Sequence, residues 1–214
     1  MPAVSGHCRA EDEKAAGRGY FDDEAGRYET HRYWRHVLRE QARTLAALEL
    51  QPSDRLLDVG CGTGAAVRKA AAIVSEAVGL DLSPRMIEQA RRLAASLDNV
   101  EFELGDAEQL PFADGAFTAV LCSTSIHHYP QPEKAVREMA RVLAPGGRVA
   151  IGDSNPEHLI VRLIDRRFKR NEPGHLGFLP PSEIARLLDE AGFTQIALRR
   201  FHRQGAVIAL ARRP

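Results

Sequence analysis

The chain has 214 residues, of which 44% are hydrophobic and 27% are charged, and its formal net charge is zero. This composition is typical of a globular protein with a substantial core, and the balanced charge argues against a dedicated nucleic-acid binder, which usually carries a basic excess. Three scattered cysteines exclude a disulfide framework or a cysteine zinc site, and no uncharged apolar stretch of about 18 residues predicts a membrane span.

The N-terminal part of the chain contains a polar segment and then a helical pattern. Residues 1–17 are small or charged without a hydrophobic period, which predicts a mobile tail before one domain over residues 18–214. The same segment lacks the apolar run of a signal peptide, so we expect a cytoplasmic protein. Residues 29–48 place apolar side chains such as Tyr33 near helical spacing and predict a helix that ends before Pro52.

From residue 55 onward, short apolar runs alternate with helical patterns. We predict strands at 55–59, 77–80, 100–104, 117–121 and 149–151, and helices at 65–74, 84–97 and 132–143. Ser83 is a favourable N-cap with Pro84 at the first helical position, and Pro145-Gly146-Gly147 predicts a turn before the fifth strand. This alternation predicts an α/β fold with a doubly wound, mainly parallel sheet and helices on both faces.

The end of the chain follows a different pattern. An amphipathic helix is predicted at 159–168, followed by a loop rich in Pro and Gly and by a second helix for which Ser182 is the predicted N-cap. Two strands are then predicted at 195–201 and 206–210. The short link between these two strands predicts an antiparallel hairpin.

Glycines follow the first predicted strand at alternating positions, in Asp58-Val59-Gly60-Cys61-Gly62-Thr63-Gly64. Glycine lets the backbone turn tightly and approach a ligand closely, and the carboxyl end of a parallel strand is where ligands bind in such sheets. Gly60, Gly62 and Ala65 also satisfy the loose dinucleotide-binding fingerprint. This loop alone therefore does not separate NAD from other adenosine ligands.

Polar side chains also follow the second and third strands. Asp81 ends the second strand, where a carboxylate can accept hydrogen bonds from both ribose hydroxyls. Gly105-Asp106-Ala107 closes the third strand, where a side chain or amide could bind the edge of adenine. An adenosine-containing ligand is therefore expected across these strand ends.

Four motifs in this order resemble those of the class I S-adenosylmethionine-dependent methyltransferases: LLDVGCGTG, GLDLSPRMIEQAR, GDAEQLPFADGAFTAVLC and VLAPGGRV. The resemblance covers about residues 20–213 and is greatest to the type 11 subgroup of small-molecule enzymes, similar to those acting on ubiquinone and menaquinone precursors. It implies a Rossmann-like sheet of seven strands that ends in a reversed hairpin. It also implies S-adenosyl-L-methionine as cofactor, S-adenosyl-L-homocysteine as product and a small-molecule methyl acceptor.

The resemblance further implies the roles of individual residues around the cofactor. The methionine end would be held by Asp58 and by the backbone of Gly60, Cys61, Gly62 and Gly64, with Ser123 at its border. The adenosine end would be held by Asp81 at the ribose, by Leu82 and Met86 packing on adenine, and by Asp106 and the Ala107 amide at the adenine edge. For Met86, simple core packing explains the residue equally well.

Two adjacent histidines lie in the loop after the fourth strand, which should face the transferred methyl group. We expect His127 or His128 to assist deprotonation or orientation of the acceptor, because histidine titrates near neutral pH; a hydrogen-bonded loop histidine is the alternative. The quinone enzymes carry an Arg-Asn pair here, so a metabolite or natural-product acceptor fits better than a quinone precursor. No set of clustered acidic residues predicts a metal site, and Asp153 alone is not one.

Two segments are expected to cover the substrate chamber, namely lid helices over residues 18–50 and an insert over residues 154–181. Within the first segment, Tyr20, Tyr28 and His31 are candidate ligand contacts. The family places variable, substrate-facing elements at these two positions. The oligomeric state is expected to be a monomer or a homodimer.

Three other functions compete with a small-molecule methyltransferase. An NAD-dependent oxidoreductase would share the glycine loop. A tRNA, rRNA or protein methyltransferase would share the fold, but the chain has Ser123-Thr124-Ser125-Ile126 in place of the Asn/Asp-Pro-Pro-aromatic motif of many base methylases, and it has no basic arm. A non-catalytic protein would bind S-adenosylmethionine without turnover.

Overall fold

A computed structural model describes residues 6–30 and 34–214, so that His31 and Tyr33 lie outside the described residues. The helices are α1 (Gly6–Glu24), α2 (Arg35–Ala47), α3 (Ala65–Ala70), α4 (Pro84–Leu93), α5 (Pro132–Val142), α6 (Leu159–Asn171) and α7 (Pro181–Glu190). The strands are β1 (Arg55–Val59), β2 (Glu76–Asp81), β3 (Val100–Leu104), β4 (Phe117–Ser123), β5 (Leu143–Ser154), β6 (Thr194–Phe201) and β7 (Ala206–Arg212). A 3₁₀ turn, Ile126–His128, follows β4.

The strands form one seven-stranded sheet in the order β3-β2-β1-β4-β5-β7-β6. The pairings from β3 to β5 are parallel, whereas β7 runs antiparallel to both β5 and β6. The predicted fold class and the predicted C-terminal antiparallel hairpin are therefore confirmed. Strand order reverses at β1 and β4, which is the point where open sheets of this kind bind ligands.

Side chains alternate between the two faces of the sheet and bury a core on each. In β1, Leu56 packs with the core under α2, α3 and α4, whereas Leu57 packs with the core under α5 and α7. Both leucines are fully buried, and each contributes about 1.5–3 kcal/mol by leaving water. Within the described residues, the helices are all too short or too polar to cross a membrane.

Helix α1 begins at Gly6, so the structure differs over residues 6–17 from the predicted mobile tail, and residues 1–5 of that prediction lie outside the described residues. Ionic contacts hold this part of the helix. Arg9 pairs with Glu13 along the helix at 3.0 Å, and Lys14 reaches Asp106 at 2.7 Å. A pattern search for apolar periodicity cannot detect a helix that is held in this way.

Two smaller predictions also differ from the structure. Pro180 is the N-cap of α7 and Pro181 is its first residue, so Ser182 lies inside the helix rather than at its cap. The predicted turn Pro145-Gly146-Gly147 is instead part of β5, where it forms an irregular bulge before the regular pairing with β4 begins. Gly146 permits the bulge because its φ is 77°.

Candidate functional site

A cleft opens at the carboxyl ends of β1 to β4, beneath helix α1. It encloses about 790 Å³ of space, its open mouth included. The predicted site residues that line it are Gly60, Gly62, Asp81, Leu82, Met86, Asp106, Ala107 and His128. These residues come from four separate stretches of the chain, and the parallel sheet brings them to one edge.

The glycine loop after β1 forms the floor of the cleft. Gly60, Gly62 and Gly64 have φ values of 77°, 54° and 76°, a conformation that disfavours residues with a Cβ. A Cβ at Gly60 would lie 2.6 Å from the Ser125 side chain, whereas one at Gly62 would meet only Tyr28, at 3.7 Å. The backbone at Gly62 therefore leaves open space for a ligand.

The Asp81 carboxylate at the end of β2 braces this loop. It accepts hydrogen bonds from the backbone N–H of Gly62 at 2.8 Å and of Ser83 at 2.9 Å. Burial raises the pKa of Asp81, and these backbone hydrogen bonds partly oppose that shift. The Ser83 hydroxyl accepts from the backbone N–H of Met86, which confirms Ser83 as the predicted N-cap of α4. Each Asp81 oxygen retains a lone pair for a ligand.

A salt-bridge network closes the end of the cleft beside β3. Lys14 of α1 lies 2.7 Å from both the Asp106 and the Glu108 carboxylates. Asp106 also accepts from the backbone N–H of Glu108 at 2.9 Å. The Asp106 carboxylate that was expected to meet adenine is thus already paired with a lysine, and α1 is tied to this rim of the cleft.

Four predicted cofactor residues lie behind the cleft wall in the described chain: Asp58, Cys61, Gly64 and Ser123. The Cys61 thiol packs in the core, and Ser123 Oγ donates to Thr44 Oγ1 at 3.3 Å. A Cβ at Gly64 would lie 2.5 Å from the Phe102 ring, so the role that the structure gives this glycine is close packing.

The Asp58 carboxyl is only 2% exposed and has an unusual electrostatic environment. Burial, with a smaller contribution from Asp81, raises its pKa to about 8. Two carboxyl groups therefore share the region beneath the glycine loop. When it is ionised, such a pair attracts a positively charged ligand and repels a negatively charged one.

The two histidines after β4 point in different directions. His128 lines the cleft, and its Nδ1 lies 2.9 Å from the Gly174 carbonyl oxygen. His127 is buried, and its Nδ1 lies 2.7 Å from Asp153 Oδ2. Because a carbonyl or carboxylate oxygen only accepts, each Nδ1 is the donor, and in the neutral ring each Nε2 carries a lone pair. Burial and the neighbouring His127 lower the pKa of His128 well below 6.5.

The structure adds site residues for which the sequence carried no signal. Gln41 of α2 lines the cleft, and its side-chain oxygen is buried without a hydrogen-bond partner among the described residues. Asp153 on β5 holds His127, and Lys14 on α1 holds Asp106. Gln41, Asp153 and Lys14 reach the site through the packing of α2, β5 and α1, which are far apart in the sequence. Tyr28, a candidate contact, lines the cleft, whereas Tyr20 does not.

Residues 57–151 match the family model described as "Methyltransferase domain". The chain is 40% identical over 139 residues to the 27-O-demethylrifamycin SV methyltransferase of Amycolatopsis mediterranei (strain S699), a match that covers 63% of this chain and 49% of that protein. It is 29% identical over 206 residues to the demethylmenaquinone methyltransferase of Staphylococcus aureus (strain JH9), which covers 86% of this chain and 82% of that protein. The chain thus spans about half the length of the first of these relatives.

A solved structure shares the fold. It is a SAM-dependent methyltransferase from Thermotoga maritima, described as a possible histamine N-methyltransferase, with a TM-score of 0.73 and 24% identity. The match covers 92% of this chain and 99% of that structure. At this level of identity, the likeness establishes the fold alone.

Proposed function

Because the chain belongs to the class I S-adenosylmethionine-dependent methyltransferases, we propose that it transfers the methyl group of S-adenosylmethionine to a small-molecule acceptor. One observation carries this proposal. Residues from the glycine loop and from the ends of β2 and β3, which the resemblance assigns to the cofactor, line a single cleft. The ends of three strands thus form the walls of one binding site.

The charges around the cleft favour this cofactor over NAD. Asp58 and Asp81 both lie by the glycine loop, and burial raises the pKa of each. S-adenosylmethionine carries a sulfonium and an ammonium group, which favour the ionised form of these carboxyls and are attracted by it, whereas the pyrophosphate of NAD would be repelled by that form. The buried, unpartnered oxygen of Gln41 is a further acceptor available to an ammonium group. The side-chain oxygens of Asp58, Asp81 and Gln41 therefore fit a cationic ligand.

When bound, the cofactor supplies a methyl group that its sulfonium already makes electrophilic. The residues of the chain then have to orient the acceptor and exclude water, and orientation can supply about 7–11 kcal/mol of the barrier. Helix α1 roofs the cleft through Lys14, Gly17 and Phe21. We assign water exclusion to this roof.

We further propose that His127 or His128 orients the acceptor or removes its proton. Asp153 accepts a hydrogen bond from the Nδ1–H of His127, so Nε2 of His127 is the nitrogen that can take up a proton. A base in this position contributes about 10²–10⁴-fold when the acceptor must lose a proton. His128, which lines the cleft directly, is placed to orient the acceptor.

The roofed cleft favours a small acceptor over a macromolecule. A tRNA, rRNA or protein substrate would need an open groove leading to the methyl group, but α1 covers the cleft and is tied to its rim by Lys14. The named relatives, a rifamycin and a demethylmenaquinone methyltransferase, carry small-molecule names. A monomer or a homodimer is compatible with this proposal.

The test measures binding and turnover separately. Calorimetry with S-adenosylmethionine, S-adenosylhomocysteine and NAD should detect the first two ligands only, and Asp81→Ala should weaken both, whereas the exposed control Asp98→Ala should not. Labelled S-adenosylmethionine with a metabolite extract should then yield a labelled small molecule, identified by mass spectrometry. Binding of NAD alone would identify an oxidoreductase instead. Cofactor binding without any labelled product would identify a non-catalytic binding protein.

A further inference from the structure

Three histidines converge beside the cleft, although one of them is far from the others in sequence. His127 and His128 come from the 3₁₀ turn, and His175 comes from the loop between α6 and α7. One ring nitrogen from each lies within 4.8 Å of the other two. The ring centroids are 4.1 Å apart for His127 and His128, and 4.9 Å apart for His127 and His175.

Each of the three imidazoles is held from behind by an oxygen atom. Asp153 Oδ2 holds His127, the Gly174 carbonyl holds His128, and Asp165 Oδ1 lies 2.9 Å from His175 Nε2. Every one of these oxygens is an acceptor, so the contacting ring nitrogen carries a proton, and in the neutral ring the opposite nitrogen carries a lone pair. Histidine ligands of metal ions are oriented by this kind of contact.

The free nitrogen of His175 is the most informative atom of the group. The His175 side chain is 0% exposed, and its Nδ1 has no hydrogen-bond partner among the described residues. A buried acceptor left without a partner costs about 1–3 kcal/mol. A ligand at this atom would remove that cost, and the centroids of the His127 and His128 rings lie 4.9 Å and 5.8 Å from that of His175.

We propose that His127, His128 and His175 form a binding site for a divalent transition-metal ion of the zinc class. Imidazole nitrogen is a preferred ligand of such ions. Metal–nitrogen distances of about 2.0–2.1 Å require tetrahedral nitrogens about 3.4 Å apart, so the three rings would close inward from their present separation of at most 4.8 Å. Asp153 and Asp165 supply negative charge behind the ligands.

Three histidines leave a fourth position open on such an ion. Because His128 lines the cleft, the ion would border the acceptor chamber, and its open position would bind an oxygen of the acceptor; this last role rests on the proposed function. The metal site itself does not. With an ion bound, His127 is a ligand rather than a proton acceptor, so the two roles of His127 are alternatives that experiment separates.

Aromatic packing is the competing explanation of the cluster. Phe178 lies 4.7 Å from the His127 ring and 4.8 Å from the His175 ring, and Phe168 lies 5.3 Å from the His175 ring. Packing alone accounts for the burial of the three rings. It does not account for the unpartnered His175 Nδ1, and it predicts no metal affinity.

The test titrates Zn²⁺ and Co²⁺ into untagged, chelator-treated protein. We expect one saturable site by calorimetry, together with the strong visible absorption of tetrahedral Co²⁺. His175→Ala should weaken Zn²⁺ binding at least about 100-fold, and Asp165→Asn, which removes the charge behind His175 together with the ion pair to Lys169, about 10–100-fold. The exposed histidine variant His202→Ala is the matched control and should bind as the wild type does.

Folding and cofactor binding are checked on the same samples by circular dichroism and S-adenosylhomocysteine calorimetry. If His175→Ala does not fold, the Asp165→Asn comparison decides. Absence of saturable Zn²⁺ binding in the wild type, or equal affinity in wild type and variants, would overturn the metal site. Loss of metal binding with intact S-adenosylhomocysteine binding would leave the proposed function standing, and the reverse result would refute that function alone.

Discussion

The buried Asp58 carboxyl should make cofactor binding depend on pH. Its pKa is raised to about 8 by burial and by Asp81, so about 1% of this group is ionised at pH 6 and about 9% at pH 7. A cationic ligand binds the ionised form more tightly. We therefore expect the affinity for S-adenosylmethionine to rise about ninefold from pH 6 to pH 7, and Asp58→Asn to abolish most of this rise.

The same shift has a consequence for the ligand-free protein. Between the unfolded pKa of about 4 and the folded value, the native state holds a proton that the unfolded state releases, so the free energy of unfolding falls as pH rises. The Asp58 contribution falls by up to about 4 kcal/mol between pH 4 and pH 7. Asp58→Asn should remove this decline and be more stable than the wild type at pH 7.

Calorimetry at pH 6.0, 6.5 and 7.0, in buffers of different ionisation enthalpy, measures both affinity and proton release. The wild type should release close to one proton on binding S-adenosylmethionine, and the Asn variant should release less. Burial also raises the pKa of Asp81, so only the difference between wild type and Asp58→Asn isolates Asp58. Equal pH slopes in the two proteins would refute the reasoning.

Three further changes test the cleft and its supports. Gly62→Ala should lower the free energy of unfolding by about 1–2 kcal/mol, because φ is 54° at this position. It should also weaken S-adenosylhomocysteine binding at least about tenfold by calorimetry, because the new Cβ would occupy ligand space at a cost of about 1.4 kcal/mol in binding free energy. Asp153→Asn should lower kcat for a proton-bearing acceptor about 10²–10⁴-fold in a labelled-methyl assay, because the partner of His127 loses its charge. Lys14→Met should lower the free energy of unfolding in urea by about 1–3 kcal/mol, because it leaves buried Glu108 without its cation.

Each of these three changes has a matched control and a contradicting result. Gly19→Ala adds a methyl where nothing lies within 4 Å, and Gly62→Ala must bind more weakly than this control. Asp98→Asn alters an exposed carboxyl, so an equal kcat in both Asn variants would exclude a role for Asp153. Arg9→Met removes a cation whose side chain is 80% exposed, and equal stability of the two Met variants would exclude the Lys14 network.

Local patterns predicted most of the sheet. The bounds of β1 and β3 are as predicted, because each is a short apolar or alternating run between residues that end strands. Residues 6–17 of helix α1 were predicted as a tail, because this part of the helix has no apolar period and is held by salt bridges to carboxylates that are distant in sequence. Ser182 was a misleading cap signal, since Pro180 and Pro181 already start α7.

Side-chain direction decides which of the predicted site residues line the cleft. Asp81 ends β2, Asp106 lies two residues after the end of β3, and both line the cleft. Asp58 and Ser123 lie within β1 and β4, where the alternation of the strand turns both side chains into the packed interior. Cys61 lies in the loop after β1, and its thiol also packs in the core rather than in the cleft. Strand position is a local property, but the direction of a loop side chain depends on what packs against it.

The sequence by itself determined the strand–helix alternation, the reversed hairpin and the glycine loop, because each depends on the conformational preferences of neighbouring residues. Only the tertiary structure decided which side chains meet. His175 and Asp165 join His127 because α6 and its following loop fold back over the end of β4, and Lys14 meets Asp106 because α1 crosses the sheet edge. No local pattern encodes these contacts, since their partners are brought together by packing across the whole sheet.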